Sequence, residues 1–280
     1  MSSIGYFTFA QNSKIDYVKL AYVCALSLKI SQPNINKMSV AVTPKTKITE
    51  KQKLIFDQII EIPWHDDAKD ADWKLQNEWK ALHISPYDLT LKIDSDMFFN
   101  SNIEHWFKEL QFYDFTICNK VYNFREENVS DNYAYREDFK SCELPNVYSG
   151  LTWFKKNTEK SMEIFRDIEN IFHNFAEWKN EFLKEEKTGF ATTDVAFALA
   201  SKLNDYNENN VLKFIHMKTQ LQNFSGEYIG ENWTNSISSY ITKTGQLRLG
   251  KFEPRIPVHY VIKNLISDEQ IKHLEKIVGV

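Results

Sequence analysis

In the stretch LTLKIDSDMFFN (89–100) an apolar run is interrupted by two carboxylates, Asp94 and Asp96, with only Ser95 between them. Alternate side chains of an extended chain share a face, so the pair can converge on one point. Carboxylates that close repel, and one is driven to hold a proton unless a cation intervenes. Oxygen donors select magnesium or manganese over softer metals, and these ions commonly bridge one or two carboxylates to the phosphates of a substrate. The spacing therefore reads as a metal and diphosphate site, with an ordinary acidic strand end as the plain alternative.

Of two other uses of such a pair, one fails and the other is weak. A calcium loop of the EF-hand type needs Gly at its sixth position and a carboxylate at its twelfth, where this chain, counted from Asp94, has Phe99 and His105. A phosphatase of the haloacid dehalogenase type wants Thr or Val two residues after its second Asp, near the first strand. Here Phe98 stands there, on a later strand.

The elements that must position the pair follow from periodicity. IGYFTFA (4–10) reads as a first strand, and Tyr17, Leu20, Ala21, Cys24, Ala25 and Leu28 then mark a helix with Asp16 at its positive end. MSVAVTP (38–44) is a second strand, TEKQKLIFDQI a helix, IIEIPW a third strand, DWKLQNEWKALHI (72–84) a helix, and LTLKID the strand carrying the pair. Strand and helix in alternation predict an α/β, Rossmann-like, mostly parallel sheet, in which ligands bind beyond the carboxyl ends of the strands. Further on, Ser101 and Glu104 read as a capping box, YDFTICNKVYNF as a strand, 158–186 as an amphipathic packing helix, and SSYITKTGQLRLGKFEPR as a C-terminal β-hairpin.

Composition narrows the class. With 280 residues, 42% of them hydrophobic, the chain can bury a substantial core, and no repeat or Gly/Ser-rich linker divides it, so one domain spanning 1–280 is expected. No signal-peptide pattern and no membrane-spanning run is found, which predicts a soluble, cytoplasmic protein. Cys24, Cys118 and Cys142 are odd in number and unpaired in spacing, against a disulfide framework or a thiolate zinc site. The net charge of −4 opposes broad attraction to a polyanion, although the segment after Ala200 is slightly basic.

With its Lys-bearing helix before DSD, then NVYSGLTWFKK and TTDVAFALAS, the chain resembles the metal-dependent glycosyltransferases of the GT-A fold over residues 4–263. In outline it is similar to glycogenin-like transferases, and in style to transferase-like proteins of tailed phages, which would place it in a host cytoplasm. The resemblance implies a nucleotide-sugar-binding half at about 4–100 and an acceptor half at about 101–280. It also implies Mn2+ or Mg2+ as cofactor and a nucleoside diphosphate sugar, with uridine as the expected nucleoside, as donor. Asp96 would hold the metal directly, and Asp94 would touch the metal, the ribose or both. A late His completes the metal shell, with a Lys following on the diphosphate. RIPVHYVIK offers His259 and Lys263, and KFIHMK offers His216 and Lys218 as rivals.

The same resemblance marks Lys74 and Asn77 as donor contacts and Ser149 and Gly150 as the strand under the sugar; the place of AQNSKIDY after the first strand offers Ala10, Gln11 and Asn12 to a uracil-like base with Tyr17 stacked on it, or Tyr17 to the core. Asn12 could instead cap the first helix. Asp194, after the capping Thr192 or Thr193, would face the acceptor hydroxyl. The long segment to Glu143, with Tyr133, Tyr135 and Arg136, reads as a loop over donor or acceptor. His65, His83, His105, His173 and His273 take structural readings, with the mouth of the site as the alternative for His65 in the charged loop WHDDAKDAD.

A sugar transferase to an acceptor hydroxyl is therefore expected, with nucleotidyl transfer and a nonenzymatic binding module as alternatives. AQNSKID lacks the Gly-rich, Arg-containing loop of the former. One candidate acceptor is a hydroxymethylated base in DNA, tracked by Lys213, Lys218, Lys243, Arg248, Lys251 and Arg255 around the hairpin. A protein or glycan hydroxyl competes with it.

Overall fold

Strands that are apolar on both faces need cover on both sides, and β1 (Ile4–Phe9) is of that kind, buried along nearly its whole length. The computed structural model describes residues 2–69, 74–130, 136, 139–183, 192–206, 208–217 and 233–280. After β1 come α1 (Tyr17–Ser31), β2 (Met38–Val42), α2 (Glu50–Ile55), β3 (Ile59–Glu61) and a 3-10 turn (Glu78–Lys80) running into α3 (Ala81–Ile84). β4 (Leu89–Ile93), β5 (Met97–Phe98), α4 (Glu104–Leu110), β6 (Phe115–Cys118), β7 (Lys120–Tyr122) and β8 (Tyr148–Lys155) follow. The remainder comprises α5 (Glu159–His173), α6 (Phe175–Phe182), α7 (Thr193–Leu203), β9 (Lys213–His216), β10 (Ser239–Ile241), β11 (Leu247–Leu249), β12 (Val258–His259) and α8 (Asp268–Val278).

The central sheet runs β3-β2-β1-β4-β8-β6, with its first four strands parallel and β8 antiparallel to both β4 and β6. One face packs Tyr6, Leu91, Ile93 and Trp153 under α1 and α4, and the other packs Phe7, Phe9 and Phe154 under α5 and α7. This is the expected mostly parallel sheet flanked by helices. A second sheet, β5-β12-β9-β7, stands beyond the carboxyl end of β4, with β12 antiparallel to β5 and parallel to β9. The expected hairpin is β10–β11. Among the described residues no helix is long and apolar enough to cross a membrane.

Four local expectations are corrected. The helix expected over 72–84 is reduced to the turn and α3, with 70–73 outside the described residues. Asn77 is fully buried, and its amide bonds to Gln11 and Asp66 hold the segment over the loop before it, so tertiary hydrogen bonds override helical spacing. YDFTICNKVYNF is two strands, because the chain leaves the central sheet after β6 and joins the second sheet as β7. The amphipathic stretch breaks at Asn174 into α5 and α6. Ser101 and Glu104 form no capping box; Glu104 instead accepts from the backbone of Asn34 and Ile35, and Asn102 caps its amide.

Candidate metal and donor site

β4 ends at Ile93, so Asp94 and Asp96 are not alternate residues of one strand as the spacing suggests. A turn through Ser95 carries the chain into β5, and it is this turn that brings the carboxylates together. The antiparallel register His259↔Met97 then delivers His259 beside Asp96. Its Nε2 lies 3.1 Å from Asp96 Oδ2 and 3.8 Å from Asp94 Oδ2, and the three potential ligand atoms lie within 4.8 Å of one another. Cis donors of an octahedral Mg2+ or Mn2+ stand about 3 Å apart, so two carboxylates and one imidazole fit such an ion. Nδ1 of His259 is buried and meets no hydrogen-bond partner among the described residues, which leaves Nε2 as the nitrogen addressed to the carboxylates.

The Lys263 ammonium contacts Asp96 Oδ2 and lies 5.5 Å from the Tyr17 ring. Without a metal the cluster balances its own charge. Burial pushes the Asp96 carboxyl up, but His259 and Lys263 outweigh burial and hold it well below the usual carboxylate range. Burial pulls His259 and Lys263 down, and Asp96 outweighs it in each, so both sit above their ordinary values.

His216, the rival ligand, is the in-register neighbour of His259 on β9. Its ring packs edge-on against that of His259 at 5.1 Å and beside Tyr148 at 6.1 Å, and it does not join the Asp94–Asp96–His259 group. Lys218 lies outside the described residues, as do Tyr133 and Tyr135.

Gly150 sits opposite Asp94: its carbonyl accepts from the Asp94 amide, and a Cβ on it would stand 3.1 Å from Asp94 Oδ2. Ser149 donates both its amide and its hydroxyl to Asp194 Oδ1, each at 2.7 Å, while Arg136 holds Asp194 Oδ2 at 2.6 Å and stacks on Tyr148. Asp194 thus has both oxygens engaged in fixing the strand beside Asp94, and α7, capped by Thr192, presents it there.

Toward the base side, Asn12 accepts from Val18 and donates to Asp16, the N-cap of α1, so it does act as a cap. The register Phe7↔Lys92 brings Ala10 and Gln11 to the same sheet edge as Asp94. Gln11 and Asn77 bond to each other and both donate to Asp66. Lys74 is drawn away onto the carbonyls of Ala68 and Lys69.

Sequence reasoning missed Lys92 and Glu78. Lys92 is buried within β4 and pairs with Glu78 Oε2 at 2.5 Å, lies 3.8 Å from Asp94 Oδ1, and donates to the Ser149 carbonyl. Burial pulls Lys92 down, but its two carboxylates outweigh that and keep it charged; burial pushes Glu78 up and outweighs Lys92. The available signal was a lysine inside an apolar strand, which has to find a counter-charge.

No family model and no curated sequence matches the chain. Solved structures do. The galactosyltransferase LgtC, in complex with donor and acceptor sugar analogues, aligns over 98% of this chain and 95% of its own, at 11% identity and a TM-score of 0.50. Mouse xyloside xylosyltransferase 1, in apo form, aligns over 92% of this chain and 98% of its own, at 10% identity and a TM-score of 0.50. At such identity the likeness is one of fold, and that fold is the GT-A glycosyltransferase type.

Proposed function

We propose that this chain is a metal-dependent glycosyltransferase, moving a sugar from a nucleoside diphosphate, with uridine diphosphate as the expected carrier, to an acceptor hydroxyl. The observation that carries the reading is the convergence of Asp94, Asp96 and His259 at the carboxyl edge of the parallel strands. The GT-A architecture supports it. Asp94, Asp96 and His259 would hold Mg2+ or Mn2+, which when bound supplies charge neutralisation for a departing diphosphate.

The chain's own groups do the rest. Lys263, released from Asp96, would donate to the diphosphate, and Tyr17 beside it would stack on the base. Ala10, Gln11 and Asn12 would border the base, with Asn77 acting through Gln11. Ser149 and Gly150 would lie under the sugar. We assign Asp194 a positioning role rather than the expected contact with the acceptor, because Ser149 and Arg136 already take both its oxygens.

For the acceptor, the hairpin adds little support to the DNA reading. Its tip, Gly245, packs on Ile30 in the last turn of α1, and β11 is tied through Leu247 to Asn100 behind β5. Arg248 is paired with Glu253. A protein or glycan hydroxyl is the competing acceptor.

Release of nucleoside diphosphate from a panel of nucleotide sugars with Mn2+ tests the reading. Release from one donor, abolished by chelator, is expected. Pyrophosphate release from nucleoside triphosphates would point to nucleotidyl transfer, and donor binding with no turnover under any acceptor would leave a binding module. Hydroxymethylated duplex at low salt belongs in the acceptor panel, and salt-sensitive transfer to it would reinstate DNA.

A further inference from the structure

We propose that His65, Asp67 and His173 form a second metal site, of the zinc class, that ties the loop after β3 to the C-terminal end of α5. The proposal does not depend on the reading of the first site.

Two of the three ligands come from one loop and the third from a helix end more than a hundred residues away, so no local motif announces them. The loop is set by Trp64, which adopts a left-handed backbone (φ 63°) and stacks its ring on Trp79 at 5.6 Å. Asp67 is held from behind. Its Oδ2 accepts from Trp79 Nε1 at 2.9 Å and lies 3.3 Å from Lys80 Nζ, and its amide donates to Asn77. Side-chain exposure of Asp67 is only 7%, so the carboxylate is fixed before any ligand arrives.

Against this fixed carboxylate stand two imidazoles. His65 Nε2 contacts Oδ1, and His173 Nε2, at the last residue of α5, lies 3.6 Å from Oδ2 with its ring edge-on to Trp79. All three potential ligand atoms lie within 4.8 Å of one another. Donors about 2 Å from a tetrahedral zinc stand roughly 3.3 Å apart, so small rotations of two exposed imidazoles close the site.

The donor set selects the ion. One carboxylate whose charge Lys80 already partly offsets gives little hold on a hard cation such as Mg2+. Two imidazole nitrogens instead favour borderline ions, whose affinity rises toward the end of the first transition row. The first site, with two carboxylates and one imidazole, has the opposite bias. Trp79 and Lys80 act as the outer partners that orient the ligating carboxylate.

Closing this site has a reach beyond itself. Asp66, the neighbour of Asp67, accepts from both Gln11 and Asn77. A metal on Asp67 would therefore fix the anchor of Gln11 at the end of β1.

The test is equilibrium dialysis of the whole chain against Zn2+, with Co2+ as a spectroscopic substitute. The expected result is that the double variant His65→Gln/His173→Gln retains one equivalent fewer than wild type and loses the visible bands of low-coordinate Co2+. Thermal stabilisation by Zn2+ should shrink in the same variant. Asp96→Ala should keep the second site and its Co2+ bands, whatever becomes of the first. His105→Gln, an exposed histidine elsewhere, should match wild type. The proposal is overturned if the double variant, folded by circular dichroism, keeps wild-type stoichiometry, or if Asp96→Ala removes all zinc. Should the double variant fail to fold, either single variant must still show at least a tenfold weaker zinc affinity.

Discussion

Replacing Lys92 by Met isolates the buried charge beneath the candidate metal site. Met fills nearly the same volume, so the change removes a charge rather than packing. Glu78 Oε2 is left 2.5 Å from where its partner stood, with its side chain 9% exposed, and the Ser149 carbonyl loses a donor. Breaking a buried pair by removing one member costs about 3–5 kcal/mol. Protonation of Glu78, whose affinity for a proton burial already raises, limits that cost, so about 3 kcal/mol is expected. For a chain of 280 residues that is a fall in Tm of roughly 5 °C.

The pH dependence has a definite sign. A carboxyl whose folded-state pKa lies above its unfolded value contributes stability that is present at low pH and lost as pH rises through the folded value. The Lys92→Met penalty should therefore be smaller near pH 5 than near pH 8, as approximate settings around the carboxyl range. Adding Glu78→Gln should recover about half or more of the loss, since the unpaired charge is gone. Differential scanning calorimetry of wild type, both single variants and the double decides it. A single variant as stable as wild type, or a double variant no better than Lys92→Met, refutes the reasoning.

Gly150→Ala places a Cβ 3.1 Å from Asp94 Oδ2 and 3.2 Å from Met97 Cε, so Mn2+ affinity by calorimetry should fall about tenfold while the fold is retained. His259→Ala should weaken Mn2+ binding by about 10- to 100-fold and His216→Ala by about threefold at most, measured in the same way. Because Asp96 holds His259 protonated above its ordinary pH range, an arriving metal must displace that proton. Mn2+ affinity should thus rise with pH until His259 is neutral in the free protein, with proton release detectable by calorimetry in buffers of differing ionisation enthalpy.

Local periodicity made the central sheet readable: β1, β2 and β4 are runs with no ambiguity of period, and their alternation with helices has few packing solutions. It failed where side chains bond to distant backbone. Asn77 gives up a helix for bonds to Gln11 and Asp66, and Glu104 serves the Asn34 loop rather than a capping box. At the site, the residue types of Asp94 and Asp96 suggested a cation site, and their convergence belongs to a turn and not to strand alternation. The choice between His259 and His216 required the register of β12, because both sit in similar apolar contexts and only pairing with β5 aims one of them at Asp96. Lys92, Glu78 and the Arg136–Asp194 pair were hidden because buried charges are recognisable only with their partners.

Calorimetric titration of uridine diphosphate, with Mn2+ and with chelator, into wild type and Asp96→Ala tests the central claim most directly. The account predicts binding by wild type only when metal is present, and at least tenfold weaker binding by a folded Asp96→Ala. Undiminished binding in the presence of chelator, or by Asp96→Ala, would contradict it.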